Sequence, residues 1–302
     1  RQRQMCIRDS YMGIYYSAIA QGLLYSLMGI GLYITFRILN FADLTSEASF
    51  SVGAAVVVKT LTLGLHPVLS LITAFVAGML TGLVTGLLMT YFEIPSLLAG
   101  IITLTAFYSI NLRIMERANL SLRQVKTLYD LLTNLLADST SRIFLVGIIL
   151  TLIVILLLGY FFKTDLGQSM VASGDNEVMA HSLGISVKLM KCLALMASNG
   201  IIAMSGALIA QQNGYADVDM GTGTVIIALS SIIIGEMLFK QLTLTMRLGA
   251  IVLGSVLYRL LLVAVLKLGF LPSDFRLISA LVLAIFLALP AMRKKIQAKK
   301  LR

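Results

Sequence analysis

The sequence predicts an all-α polytopic membrane protein of about eight or nine transmembrane or broken helices in two related halves, with a short helix on the cytoplasmic side. Three observations predict it. Hydrophobic residues make up 58% of the 302 positions and charged residues 13%, whereas a soluble domain has about 25% charged residues. Apolar stretches recur along the whole chain, each near the roughly 20 residues that span about 30 Å of hydrocarbon as helix. The triplet Phe41-Ala42-Asp43 returns as Tyr215-Ala216-Asp217, and each copy leads into a small-residue hydrophobic segment, as in halves related by duplication. Gly, Ser and Thr are mixed with Leu and Ile inside the stretches, which excludes the short alternating strands of an outer-membrane barrel.

The elements follow in chain order. Residues 1–11, beginning RQRQMCIRDS, are read as a non-native or disordered arm, because Met12 opens the first apolar run more naturally. No cleavable leader is evident there. A single permeation domain is expected over 12–292, with halves of 12–138 and 139–292, followed by a basic tail at 293–302. Spans are laid out at 15–36, 44–63, 67–90, 94–112, 143–162, 188–210, 220–238, 246–266 and 277–291. Net charge is +10, and the tail holds Arg293, Lys294, Lys295, Lys299, Lys300 and Arg302 with no acid. The positive-inside rule therefore puts the C-terminus in the cytoplasm, and the basic bias does not signal nucleic acid. Counting back, 239–247 with Lys240 and Arg247 falls inside, 211–219 with Asp217 and Asp219 outside, and 163–187 inside. Nine crossings then place the N-terminus outside. Cys6 and Cys192 suggest neither a disulfide nor a thiolate metal site, and His66 and His181 are too far apart in sequence to suggest a zinc cluster.

Four segments depart from plain apolar sequence. Asn40–Ala55 sets Asp43 and Glu47 beside Ser, Thr, Gly and Ala ahead of a hydrophobic run. Acids at that depth either serve function or cap a broken helix, with Asp43 or Thr45 as the capping residue. The segment 214–228 repeats the pattern with Asp217, and Gly221 and Gly223 permit a bend or close helix contact. At 108–122, Glu116 is placed to pair with Arg113 at a three-residue spacing. The stretch from there to Asp138 suits an external surface helix. Finally, 173–211 contains a short polar helix over 175–182, in which Met179, Ala180 and Leu183 share a face with Val187. A soluble partner could grip that face, or the helix could lie flat on lipid.

The segment 174–208 resembles the cytoplasmic coupling region of permease subunits in ABC importers of the branched-chain amino acid and ribose class. The matching features fall on Glu177, Ala180, Gly184 to Val187, Lys191 and Gly206 to Leu208, with Ser186 where Asn is commoner. Asn40-Phe41-Ala42 followed by Gly53-Ala54 is similar to the family's early NFA motif, and Asp43 departs from it. That departure, with SINLRIM at 109–115, is similar to a subgroup of tryptophan and tyrosine importers. The resemblance spans roughly 12–292. It implies a multi-pass permease of the bacterial cell membrane that works by alternating access. It also implies a second permease chain, expected to be identical, two cytoplasmic ATPase subunits, and an external or periplasmic binding protein. Coupling to the ATPase would fall on Glu177, Met179, Ala180, Leu183, Gly184, Ile185 and Lys188.

No GxxxxGK[ST] occurs, so ATP and magnesium are expected in the partner ATPase and no cofactor in this chain. The chain is therefore read as a transport subunit and not an enzyme. Residues expected along the pathway or its gate are Asn40, Phe41, Asp43, Glu47, Phe50, Phe107, Tyr108, Tyr215 and Asp217. The aromatic members could receive a flat ring or simply pack. The solute is read as an aromatic or other amino acid, with a sugar, a nucleoside or another small molecule as alternatives. A secondary transporter stays open as the competing class, with Asp43, Glu47, Asp217 or Glu236 relaying protons or holding a cation.

Overall fold

The computed structural model describes residues 2–123, 125–133, 136–239, 243–267, 274, 277–285 and 288. The basic tail, Lys240 and part of the last expected span lie outside the described residues. The chain forms α1 (Gln2–Tyr33), α2 (Thr45–Thr62), α3 (Pro67–Thr90) and α4 (Ser96–Met115), then a short strand β1 (Asn119–Ser121). There follow α5 (Ser139–Phe161), α6 (Asp165–Asp175), α7 (Glu177–Ser182), α8 (Val187–Asn213), β2 (Tyr215–Asp217), α9 (Thr224–Leu238) and α10 (Leu244–Lys267). Residues 277–285 are also helical. Among the described residues, seven helical segments are long and apolar enough to cross a membrane. α2 is not one of them, because Ser, Thr and Glu dilute its apolar content, and most of its residues are buried by the other helices.

Two antiparallel pairings fix the bundle. On α8, Ser198 and Ser205 donate their hydroxyls to the carbonyls of Gly31 and Leu24 on α1, each at 2.7 Å. In lipid these inward-turned hydroxyls join helices where no water is available to satisfy them. α3 packs against an adjacent side of α8 through Gly78, Gly82 and Gly86. A Cβ at Gly82 would lie 2.3 Å from the Leu195 carbonyl oxygen, and one at Gly78 2.5 Å from that of Asn199. Glycines four residues apart let the two backbones close to a distance that any side chain would block.

One face of the bundle carries α6 and α7. The other carries the antiparallel ladder of β1 and β2, in which Leu120 lies opposite Ala216. α1 and α3 run from the ladder face to the α6–α7 face, and α8 returns.

α1 begins at Gln2, within the segment expected to be a non-native or disordered arm. Several expectations are corrected. The stretch after Met115 is not a surface helix. It supplies β1 and a single 3-10 turn at Leu128–Leu132, anchored where the Tyr129 hydroxyl donates to the Leu208 carbonyl at 2.9 Å and Gln211 accepts from the Leu128 N–H at 2.8 Å. Burial pushes the Tyr129 hydroxyl pKa up. Glu116 does not turn back to Arg113. It caps α4 in the left-handed region at φ 60° and takes the Lys59 ammonium at 2.7 Å, which holds its carboxyl below the usual carboxylate range.

Candidate translocation and coupling site

α1 ends in one π-helical turn, Ile34–Ile38, after which Asn40 adopts a left-handed φ of 57°. Asn tolerates that conformation better than most residues. Its side chain donates to the Gly174 carbonyl at the end of α6, at 3.3 Å. A Cβ on Gly174 would sit 1.8 Å from the Ile38 oxygen, so this crossing requires glycine. The chain then dives into the bundle, and Asp43 is only 4% exposed. Its Oδ1 accepts from the Thr45 N–H at 2.8 Å, opening α2, and its Oδ2 accepts from Asn199 Nδ2 at 3.0 Å. Asn199 stands near the midpoint of α8 and takes the Ser49 hydroxyl on its own oxygen at 2.7 Å. The acid, the amide and the hydroxyl therefore satisfy one another deep in the bundle, as buried polar groups must.

The second triplet does the same local job from the opposite face. Asp217 Oδ1 accepts from the Asp219 N–H at 2.9 Å, and Oδ2 accepts from Asn119 at 3.2 Å. One 3-10 turn, Val218–Gly221, then leads into α9. Here the two irregular stretches meet. Gly223 N–H donates to Glu47 Oε1 and Gly221 N–H to the Ser51 hydroxyl, both at 2.9 Å. A Cβ at Gly221 would lie 2.0 Å from the Glu47 carbonyl oxygen, which explains the glycine. α2 and α9 thus both begin inside the bundle and leave through opposite faces.

Of the expected pathway residues, Glu47 and Tyr108 share a cavity of about 240 Å³ on the ladder side, together with Asn111 and Asp219. Asn40 lines a second cavity of about 510 Å³ on the α6–α7 side, where Arg37 forms a two-pronged ion pair with Glu236. Phe50 is fully buried and stacked on Tyr25 at 6.1 Å, and lines neither cavity. Phe41 packs against the core, Phe107 is half-buried, and Tyr215 lies exposed on β2. These three are not drawn into either cavity.

The expected polar helix forms as α7, and Asn176, at φ −154°, separates it from α6 and caps it by accepting from the Met179 N–H at 3.0 Å. Ala180 faces inward and is fully buried, so it does not join Met179 and Leu183 on one face. The exposed apolar surface is Val178 at 81%, Leu183 at 69% and Met179 at 48%. Glu177 turns back to Lys191 on α8 at 2.7 Å and so holds α7 to the bundle, while Lys188 at the start of α8 approaches Glu93 in the α3–α4 turn at 3.8 Å. Gly184, at φ 81°, makes the turn into α8, and Ile185 packs partly against the core. Asn199, Asn111, Asn176, Val178, Asp219 and the α3 glycines were missed from sequence. A polar Asn at the centre of an apolar span and a Gly-x-x-x-Gly repeat were available as signals.

A multi-pass bundle whose interior joins two half-depth helix starts defines a membrane transport protein. The chain belongs to the family described as branched-chain amino acid transport system, permease component, whose model matches residues 14–289. It is 41% identical to a tyrosine transport system permease protein of Clostridioides difficile, covering 90% of each chain. It is 33% identical to the uncharacterized protein RP368 of Rickettsia prowazekii, covering 94% of this chain and 99% of that one. The fold is similar to that in the solved structure of PsaBC from Streptococcus pneumoniae in complex with Fab, with a TM-score of 0.50, 17% identity, and coverage of 91% and 90% of the two chains.

Proposed function

We propose that this chain is the membrane-spanning subunit of an ATP-driven importer and moves an aromatic or other amino acid by alternating access. In this reading it pairs with an identical chain, two cytoplasmic ATPases dock on the α6–α7 face, and an external binding protein delivers solute to the ladder face. ATP and magnesium belong to the ATPase. The amino-acid solute is suggested by the name of the Clostridioides relative.

The observation that carries the reading is the mechanical continuity of α7 with the bundle centre. Its exposed apolar patch of Val178, Met179 and Leu183 offers a grip to a soluble partner. Only Leu183 to Ser186 stand between α7 and α8. Displacing α7 therefore moves α8, and with it Asn199 and Asp43. The Asn40 to Gly174 contact gives a second link from α6 to the segment that opens α2. Alternation then needs only that the partner grip the two shapes unequally.

Both Asp43 oxygens accept from amides that define the start of α2 and its contact with α8, which favours a structural acid over a proton relay. The test is uptake of tyrosine into vesicles that contain the permease, the ATPase and the binding protein, with ATP and proton gradient varied separately. Uptake that follows ATP supports the reading. Uptake that follows the proton gradient and ignores ATP overturns it.

A further inference from the structure

We infer that the cavity between α2, α4 and the 218–223 turn is a binding site for an organic ammonium group, the positively charged end of the imported solute. This rests on the import reading above. Two carboxylates, Glu47 and Asp219, line the cavity, and no Lys, Arg or His is among the described residues around it. Acids alone would not make a site, but Asn111 supplies an independent sign of one. It is 1% exposed, lines the same cavity, and its Oδ1 has no hydrogen-bond partner. A buried acceptor left unmade is costly, so it calls for a donor inside the cavity.

The surroundings suit an ammonium in particular. An ammonium carries three donors and no acceptor, which matches a lining of carboxylate, amide oxygen and the hydroxyls of Ser51 and Thr105. Tyr108, 45% exposed, also lines the cavity, and an aromatic ring is a group that attracts a cation. Glu47 is already fixed by the Gly223 N–H, so its carboxylate is held in position before any ligand arrives. The volume of about 240 Å³ falls below the roughly 300–1,000 Å³ of pockets that enclose a whole small molecule. It therefore receives one end of a solute and leaves the remainder outside. The cavity also touches the place where α2 meets the start of α9, so filling it changes the junction of the two half-depth helices.

The experiment uses the full chain in lipid nanodiscs and thermal unfolding with three probes: tyramine, 3-(4-hydroxyphenyl)propionate and sodium chloride. Tyramine has the ammonium without a carboxylate, and the propionate has the reverse. The expected result is saturable stabilisation by tyramine alone. Asp219→Asn, on an exposed turn, keeps the fold and raises the half-saturating tyramine concentration roughly tenfold or more, as loss of a charged hydrogen-bond partner implies. Asn111→Leu does the same where it folds. Equal effects of tyramine and the propionate, or no effect of tyramine, overturn the site and leave the cavity to water. Stabilisation by sodium that tyramine does not displace overturns it in favour of a metal cation. ATP-driven uptake measured in parallel separates the two readings. Tyramine binding without ATP-driven uptake refutes the importer alone, and ATP-driven uptake without tyramine discrimination refutes the site alone.

Discussion

Replacing Asp43 and Asp217 by Asn separates two acids that look alike in sequence. In Asp43→Asn, one oxygen remains to accept from the Thr45 N–H, but the second acceptor becomes an NH₂ group facing Asn199 Nδ2. Rotating the Asn199 amide does not resolve this, because its oxygen already serves Ser49 and its nitrogen also donates to the Leu195 carbonyl at 3.0 Å. One hydrogen bond is lost, at about 1 kcal/mol, and at least one buried donor is left unpaired, at about 1–3 kcal/mol. The expected destabilisation is therefore about 2–4 kcal/mol. Asp217→Asn keeps the acceptor for the Asp219 N–H and loses only the contact with exposed Asn119, which water replaces, so its effect stays within about 0.5 kcal/mol. Thermal unfolding of both purified variants in nanodiscs, beside uptake normalised to folded protein, measures the difference. Equal small effects would refute the buried network. A folded Asp43→Asn protein that has lost all transport, while wild-type uptake follows the proton gradient, would refute the structural role of the acid and favour a proton-coupled carrier.

Further expectations concern the coupling face and the helix seam. Val178→Glu should leave stability nearly unchanged, because the side chain is exposed, yet lower solute-stimulated ATP hydrolysis and co-purification of the ATPase. Ala180→Glu should instead destabilise α7 by forcing a charge into a buried position, visible as increased proteolysis of the 165–186 region. Gly82→Leu should cost about 3 kcal/mol or more by prising α3 from α8, whereas Gly249→Ala, with open space at its Cβ, should be neutral or slightly stabilising by thermal unfolding. Tyr129→Phe should lose about 1 kcal/mol with the Leu208 hydrogen bond, by the same measurement.

Hydropathy made the frame of the bundle legible in the sequence, because lipid forces each span to satisfy its own backbone and to stay apolar for about 20 residues. The expected 67–90 span coincides with α3 (Pro67–Thr90), where His66 caps and Pro67 starts the helix. The start of α2 was legible too, since Asp43 within a Ser- and Thr-rich stretch has few uses besides capping or chemistry. What stayed hidden depends on partners far away in the chain. Glu116 finds Lys59 across 57 positions in preference to Arg113 nearby, and nothing in local spacing ranks those two cations. The stretch after Met115 has enough apolar residues for a surface helix, but β2 and α8 offer its backbone and Tyr129 better partners. Phe50, expected along the pathway, finds its ring partner in Tyr25 on another helix, which local sequence does not reveal.

The same dependence on distant partners explains why the two Asp triplets matter more together than apart. Each acid fixes a backbone N–H two residues on, which any loop Asp could do. Their separate roles come from what the following residues reach. After Asp43, the chain reaches Asn199 on α8, which runs directly from the exposed α7 patch. After Asp217, it reaches Glu47 and Ser51 on α2 through two glycine N–H groups. A push on α7 therefore reaches the start of α2 through Asn199, and it reaches α9 both through α2 and through the Arg37–Glu236 ion pair. Bridging Ser51→Cys on α2 and Thr222→Cys on the 218–223 turn, which line one cavity, with a bifunctional thiol reagent should therefore block uptake while leaving ATPase binding to α7 intact. Loss of both on cross-linking would show that α7 and the α2–α9 junction move as one rigid unit.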